Sequence, residues 1–107
     1  MVNSARFFST NSRGGNFDAA TIVAVWRKAT AVANFDSSDF RKDSCGAWIR
    51  FSAYGKGGDY GWEIDHIRPV AHGGDDHLSN LQPLQWQNNR HKSDSFPTWS
   101  CAVSARS

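Results

Sequence analysis

Cysteine is scarce in this chain of 107 residues: Cys45 and Cys101 lie far apart, and neither belongs to a Cys-x-x-Cys pair. Neither a zinc knuckle nor a disulfide framework is indicated, so Cys45 reads as a small buried hydrophobe and a reduced, cytoplasmic setting is the default. No window approaches the ~20 consecutive apolar residues of a membrane span, and the N-terminus lacks the apolar core of a secretory signal. A soluble protein with no membrane partner is expected. An excess of one charge is missing too, since 12 Lys and Arg against 10 Asp and Glu leave a net charge of +2. That balance is far from the basic bias of a histone-like binder and does not by itself suggest nucleic acid.

Aromatic residues are what the chain has. Five Trp and seven Phe fill a thin core in which Leu is sparse and Met occurs once, since each ring buries a large apolar area. The length fits one domain. Residues 1–16 contain no acid and no amphipathic period, and read as a flexible N-terminal tail rather than a transit peptide. Asp18 is placed to cap a helix running to Ala29, with Ile22, Val25, Trp26 and Ala29 on its buried face. Residues 34–43 are polar and read as a loop or capped turn; Ala47 to Phe51 has strand character. Tyr60 to Ile67 alternates as a second strand, Pro69 ends it, and a turn-rich loop follows. Leu81 to Leu84 suits a return strand and Trp86 to Lys92 a helix. The pattern is β-loop-β-α within a domain spanning 17–100, followed by a C-terminal tail at 101–107.

Polar residues recur along this unit in a fixed order. Asp65-His66 is followed by Gly73-Gly74, then by Asn80 fourteen residues after the His (80 − 66), then by Asn89 nine residues later (89 − 80), with Arg90, His91 and Lys92 behind it. Cleaving a phosphodiester requires an activated water, charge neutralisation at phosphorus and help for the departing oxygen. His66 is the candidate general base, because an imidazole can take a proton from water near neutral pH. Asp65 is a hard metal ligand, and the Asn89 amide oxygen can reach the same ion, a donor set suited to Mg²⁺ or Mn²⁺. Adjacent strand residues point to opposite faces, so Asp65 and His66 serve one phosphate only if the strand twists or ends there. Asn80 is expected to hold the loop backbone or the His66 ring. At ~100° per residue Asn89 and His91 diverge, whereas Asn89 and Lys92 share a face, which pairs Asn89 with the metal and Lys92 with phosphate.

Residues 60–94 resemble HNH (His-Asn-His) endonucleases of the ββα-metal fold, with a layout similar to the nuclease domain of RNA-guided DNA-cutting enzymes. The resemblance implies an α+β single domain: a ββα-metal core made of a β-hairpin and a crossing helix, with the N-terminal helix packed on it. It assigns Asp65 and Asn89 to the metal, His66 to the base and Asn80 to positioning. Glu63 takes an auxiliary place, and Arg68, Arg90, His91 and Lys92 are candidates for nucleic-acid contacts. Many members carry Cys-x-x-Cys pairs around this unit. Here Gln85 and Asn88 stand where the second pair would be, so no structural zinc is expected. Ser93 stands where colicin-type members have a further His, which favours Mg²⁺ or Mn²⁺. Asp43-Ser-Cys-Gly-Ala-Trp-Ile-Arg is similar to a segment preceding the motif in some small bacterial HNH-like proteins.

The resulting expectation is a metal-dependent endonuclease acting on DNA with little base readout, as a monomer or weak dimer. The alternatives are an HNH-like module that grips nucleic acid without cutting it, and an interaction domain that has lost nucleic acid. His72 and His77 read as solvated loop residues. The Trp residues read as core, with base stacking the alternative for Trp86.

Overall fold

The computed structural model describes residues 8–104. Helix α1 spans Ala19–Trp26 and starts at Asp18, whose carboxylate accepts a hydrogen bond from the Thr21 amide and so satisfies one open N–H of the first turn. It stops three residues short of the expected end (29 − 26), yet Ala29 is buried with Val25 and Trp26.

The polar segment 34–43, expected as a loop, ends in a strand. β1 (Phe40–Lys42) pairs antiparallel with β2 (Trp48–Arg50), with Phe40 opposite Arg50 and Lys42 opposite Trp48. The polar residues form the turn ahead of β1, where the Asp36 carboxylate accepts from the Ser38 amide and hydroxyl. Three residues of strand are too few for their alternation to register in sequence. Asp43 then closes the hairpin by accepting from the amides of Cys45 and Ala47.

The second hairpin is the expected one. β3 (Trp62–His66) pairs antiparallel with β4 (Leu81–Gln85), and Asp65 lies opposite Gln82. Helix α2 (Trp86–Lys92) follows directly and packs against both strands, capped by the Gln85 side chain, which accepts from the amides of Gln87 and Asn88. The described residues form an α+β fold of two α-helices and two antiparallel hairpins.

The core joins these layers through aromatic rings. Trp62 is fully buried, 5.3 Å from the Trp26 ring and 4.9 Å from Tyr54. Val25, Ile49, Ile64 and Leu81 fill the space around them. Each such side chain contributes roughly 1.5–3 kcal/mol on burial, and the rings supply the volume that scarce Leu does not.

The cysteines require a correction. Cys45 and Cys101 form a disulfide across 56 residues of sequence, so Cys45 is not a lone buried thiol. Linear spacing carries no sign of the bond, because only the tertiary path of the C-terminal segment brings the sulfurs together. That segment lies over α2, where buried Asn88 accepts from the amides of Ala102 and Val103 and donates to the Val103 carbonyl and the Asp43 carboxylate. The pairing also removes the ground on which a reduced compartment was expected.

Of the tail expected at 1–16, residues 1–7 lie outside the described residues, as do 105–107 of the C-terminal tail. Residues 8–16 make defined contacts: Ser9 accepts from the Ile64 amide at 2.9 Å and shares a hydrogen bond with the Tyr54 hydroxyl. Among the described residues no helix is long and apolar enough to cross a membrane.

Candidate active site

The end of β3 brings Asp65 and His66 to one cavity of about 380 Å³, which Asn89 and Ser93 line from the α2 side, Pro69 to Ala71 from the following loop, and Phe8 to Thr10 from the N-terminal segment. Two adjacent strand residues reach the same space because regular pairing ends at His66 and the chain turns at Pro69.

His66 is 8% exposed, and its Nε2 lies 2.8 Å from Asp76 Oδ1. Asp76 is held in turn by the amide and hydroxyl of Ser12, the latter at 2.7 Å. Partial burial raises the Asp76 carboxyl, but the bonds from His66 and Ser12 outweigh it and hold it below the usual carboxylate value. An ionised carboxylate only accepts, so Nε2 carries the ring proton and Nδ1 is left as the basic nitrogen. Neither Asp76 nor Ser12 was among the residues expected at the site. The available signal was the acid pair Asp75-Asp76 directly after Gly73-Gly74, between the His and the Asn.

Asn80 acts on the loop backbone and not on the imidazole. Its Oδ1 accepts from the Arg68 amide at 2.8 Å, and its Nδ2 donates to the carbonyls of Arg68 and Asp75. One side chain thus fixes both ends of the loop that carries Asp76. The loop also requires its glycines: Gly73 has φ +87°, and a Cβ on Gly74 would collide with the Arg68 carbonyl. Arg68 is exposed and donates to the His72 carbonyl.

Helix α2 aligns polar residues against the other face of β3. Lys92, expected to meet phosphate, is instead 1% exposed, with Nζ 3.3 Å from Asp65 Oδ1 and 3.1 Å from the His66 carbonyl. The spacing that sets it on the Asn89 face also turns it inward. Gln82 donates to the other Asp65 oxygen at 2.9 Å. Burial raises the Asp65 carboxyl above its ordinary value, and the bonds from Gln82 and Lys92 offset part of that rise. Glu63, also buried, accepts from Asn89 Nδ2 at 2.9 Å and from Arg90 at 3.0 Å. A carboxylate fixes the amide nitrogen on its own side, so the Asn89 oxygen is turned the other way. His91 is exposed and meets Ser100. Among the predicted residues the fold therefore gathers Asp65, His66 and Asn89 at one cavity, sets Glu63, Lys92 and Asn80 behind them, and leaves Arg68, Arg90 and His91 outward.

Among the described residues no three His, Cys, Asp or Glu side chains lie close enough to share a metal ion. The oxygen donors Asp65 and Asn89 do line the cavity together, with Ser93 and Asp94 also on its wall. Such a pair suits a hard, largely hydrated cation that takes its remaining ligands from water and phosphate, and does not suit a closed zinc site.

A model of the HNH endonuclease family matches residues 44–95, which takes in Asp65, His66, Asn80 and Asn89. No curated protein matches the chain, and no solved structure does. Members of this family generally work with a divalent metal and bind nucleic acid. Residues 44–95, just under half of the chain, thus match the HNH endonuclease family, which points to a nuclease-like or nucleic-acid-related function.

Proposed function

We propose that the protein is a metal-dependent endonuclease that hydrolyses phosphodiester bonds in DNA with little sequence readout of its own. The observation that carries this reading is the shared cavity of Asp65, His66 and Asn89, with His66 backed by Asp76. In the proposed reaction His66 takes a proton from water at Nδ1, and the Asp76 carboxylate stabilises the imidazolium through Nε2. The hydroxide attacks phosphorus as the bond to the departing oxygen breaks. Asn80 keeps the Asp76 loop in register, and Glu63 keeps the Asn89 oxygen directed away from itself. Asp65 and Asn89 would hold the divalent ion, Mg²⁺ or Mn²⁺, which when bound would neutralise charge on the phosphate and the departing oxygen. Arg68, Arg90 and His91 are exposed and suited to backbone phosphates, contacts that position DNA without specifying bases.

One observation favours a non-catalytic nucleic-acid-binding module: both Asp65 oxygens are already engaged, by Gln82 and Lys92. Conversion of supercoiled plasmid to nicked and linear forms in Mg²⁺, Mn²⁺ or EDTA tests the two readings. Metal-dependent conversion supports the nuclease. Retardation of DNA without conversion in any metal supports the binder.

A further inference from the structure

The outer face of the β1–β2 hairpin carries a pattern that the nuclease site does not use. Phe40 and Lys42 alternate onto one face of β1, and Trp48 and Arg50 onto the same face of β2. Arg41 and Ile49 face the other way. Arg41 donates to the carbonyls of Ser37 and Ala29 and lies over Trp26, and Ile49 is fully buried. Each cross-strand pair on the outer face sets a cation against a ring: Lys42 Nζ is 4.8 Å from the centre of Trp48, and Arg50 is 5.0 Å from Phe40.

Two further rings lengthen the row. Phe35, 50% exposed, lies 4.7 Å from Trp48, and Tyr60, 43% exposed, lies 5.3 Å from Phe40. The Tyr60 carbonyl accepts from the Arg50 amide, which ties this end of the row to β2. Four aromatic rings and two cations thus form one outward surface, with Asp39, paired to Arg50 at 2.9 Å, as the carboxylate bound to it.

We infer that this face is a stacking platform for unpaired bases, so that the nucleic acid it takes carries a single-stranded stretch. The exposed rings of Phe35 and Tyr60 can take bases of any sequence, with half-buried Phe40 and Trp48 behind them, and Lys42 can meet a backbone phosphate while Arg50 is paired with Asp39. Tyr60 precedes the start of β3, and His66 ends that strand at the cavity. Tyr60 precedes His66 by six residues (66 − 60), at most about 22 Å of extended chain, or about six nucleotides of stacked strand at ~3.4 Å each. The inference rests on the nuclease reading for its choice of substrate, but the binding surface is separately testable.

The test is fluorescence anisotropy in EDTA with a labelled single strand of about twelve thymidines and, in parallel, a duplex of matching length. The wild type is expected to bind the single strand more tightly. Phe35→Ala and Trp48→Ala should each weaken single-strand binding about tenfold, with a smaller effect on the duplex. Lys42→Gln should weaken it and reduce the salt dependence by about one phosphate contact. Phe35 is half exposed, so Phe35→Ala is expected to melt like the wild type and remains informative should Trp48→Ala fail to fold. Wild-type affinity in both Phe35→Ala and Lys42→Gln, or equal losses for single strand and duplex, overturns the platform. Plasmid nicking by the wild type, measured separately, decides the hydrolytic reading: nicking with an inert face removes the platform alone, and single-strand binding without nicking removes hydrolysis alone.

Discussion

His66 and Asp76 are ten residues apart in sequence and 2.8 Å apart in the fold. The contact joins the last residue of β3 to the loop that leads into β4, and Ser12 of the N-terminal segment holds its far side. The imidazole therefore keeps one proton arrangement because three separate stretches of chain meet at one carboxylate.

Asp76→Asn keeps the shape of this contact and removes its charge. The ring then loses the partner that fixes its tautomer and stabilises its protonated form. Cleavage is expected to fall about 10- to 100-fold with little change in DNA affinity, in line with the loss of other groups that orient a reactive side chain. Cleavage rate and affinity measured on the same preparation check this, and an unchanged rate contradicts it.

Lys92→Met leaves the buried Asp65 carboxylate without its cation. Removing one partner of a buried pair costs about 3–5 kcal/mol. Burial already raises the Asp65 carboxyl, and the loss of Lys92 raises it further. Between its ordinary value and the raised one, the folded state of the variant binds the extra proton, so stability falls as pH rises through that window and then levels. The deficit relative to wild type should be greatest near pH 7 and shrink as acid neutralises Asp65. Urea midpoints at about pH 7 and about pH 5 test it, and equal deficits contradict it.

Reduction of Cys45–Cys101 is expected to lower stability by about 2–4 kcal/mol, since the bond closes a loop of 56 residues. It should also loosen the segment that Asn88 binds, one residue from Asn89. Cys45→Ser with Cys101→Ser should match the reduced protein in thermal melting. A melting temperature that neither change moves would contradict the role of the bond.

Gly74→Ala places a methyl group against the Arg68 carbonyl and the Asn80 side chain. The loop then cannot close as it does, and Asp76 leaves His66. Cleavage should fall at least as far as in Asp76→Asn, while Ala71→Gly in the same loop should be tolerated. Wild-type cleavage by Gly74→Ala would contradict the loop's part in holding His66.

Local signals were enough for α1, β3, β4 and α2. Asp18 at a cap, Trp62 and Ile64 in alternation, and Asn89 with Lys92 on one helical face are each encoded within a few residues. The sequence did not show what depends on distant partners. The Cys45 bond needs the C-terminal segment to return over α2. The Lys92 position follows from a carboxylate on β3, because a buried Asp65 draws the ammonium inward. Asp76 looked like any loop acid, since its meaning comes from Asn80 and Ser12, which aim the loop at His66. The spacing of Asp65, His66 and Asn89 indicated a shared site, but whether their side chains met depended on where the β3 ladder ended.

The central claim is that His66 activates water for phosphodiester hydrolysis. Its most direct test is the rate of plasmid nicking in saturating Mg²⁺ or Mn²⁺ by wild type and His66→Ala, with DNA affinity measured on both. Metal-dependent nicking is expected to fall by about 10²–10⁴-fold in His66→Ala while binding persists. Equal nicking by the two proteins, or no nicking by the wild type in either metal, would contradict it.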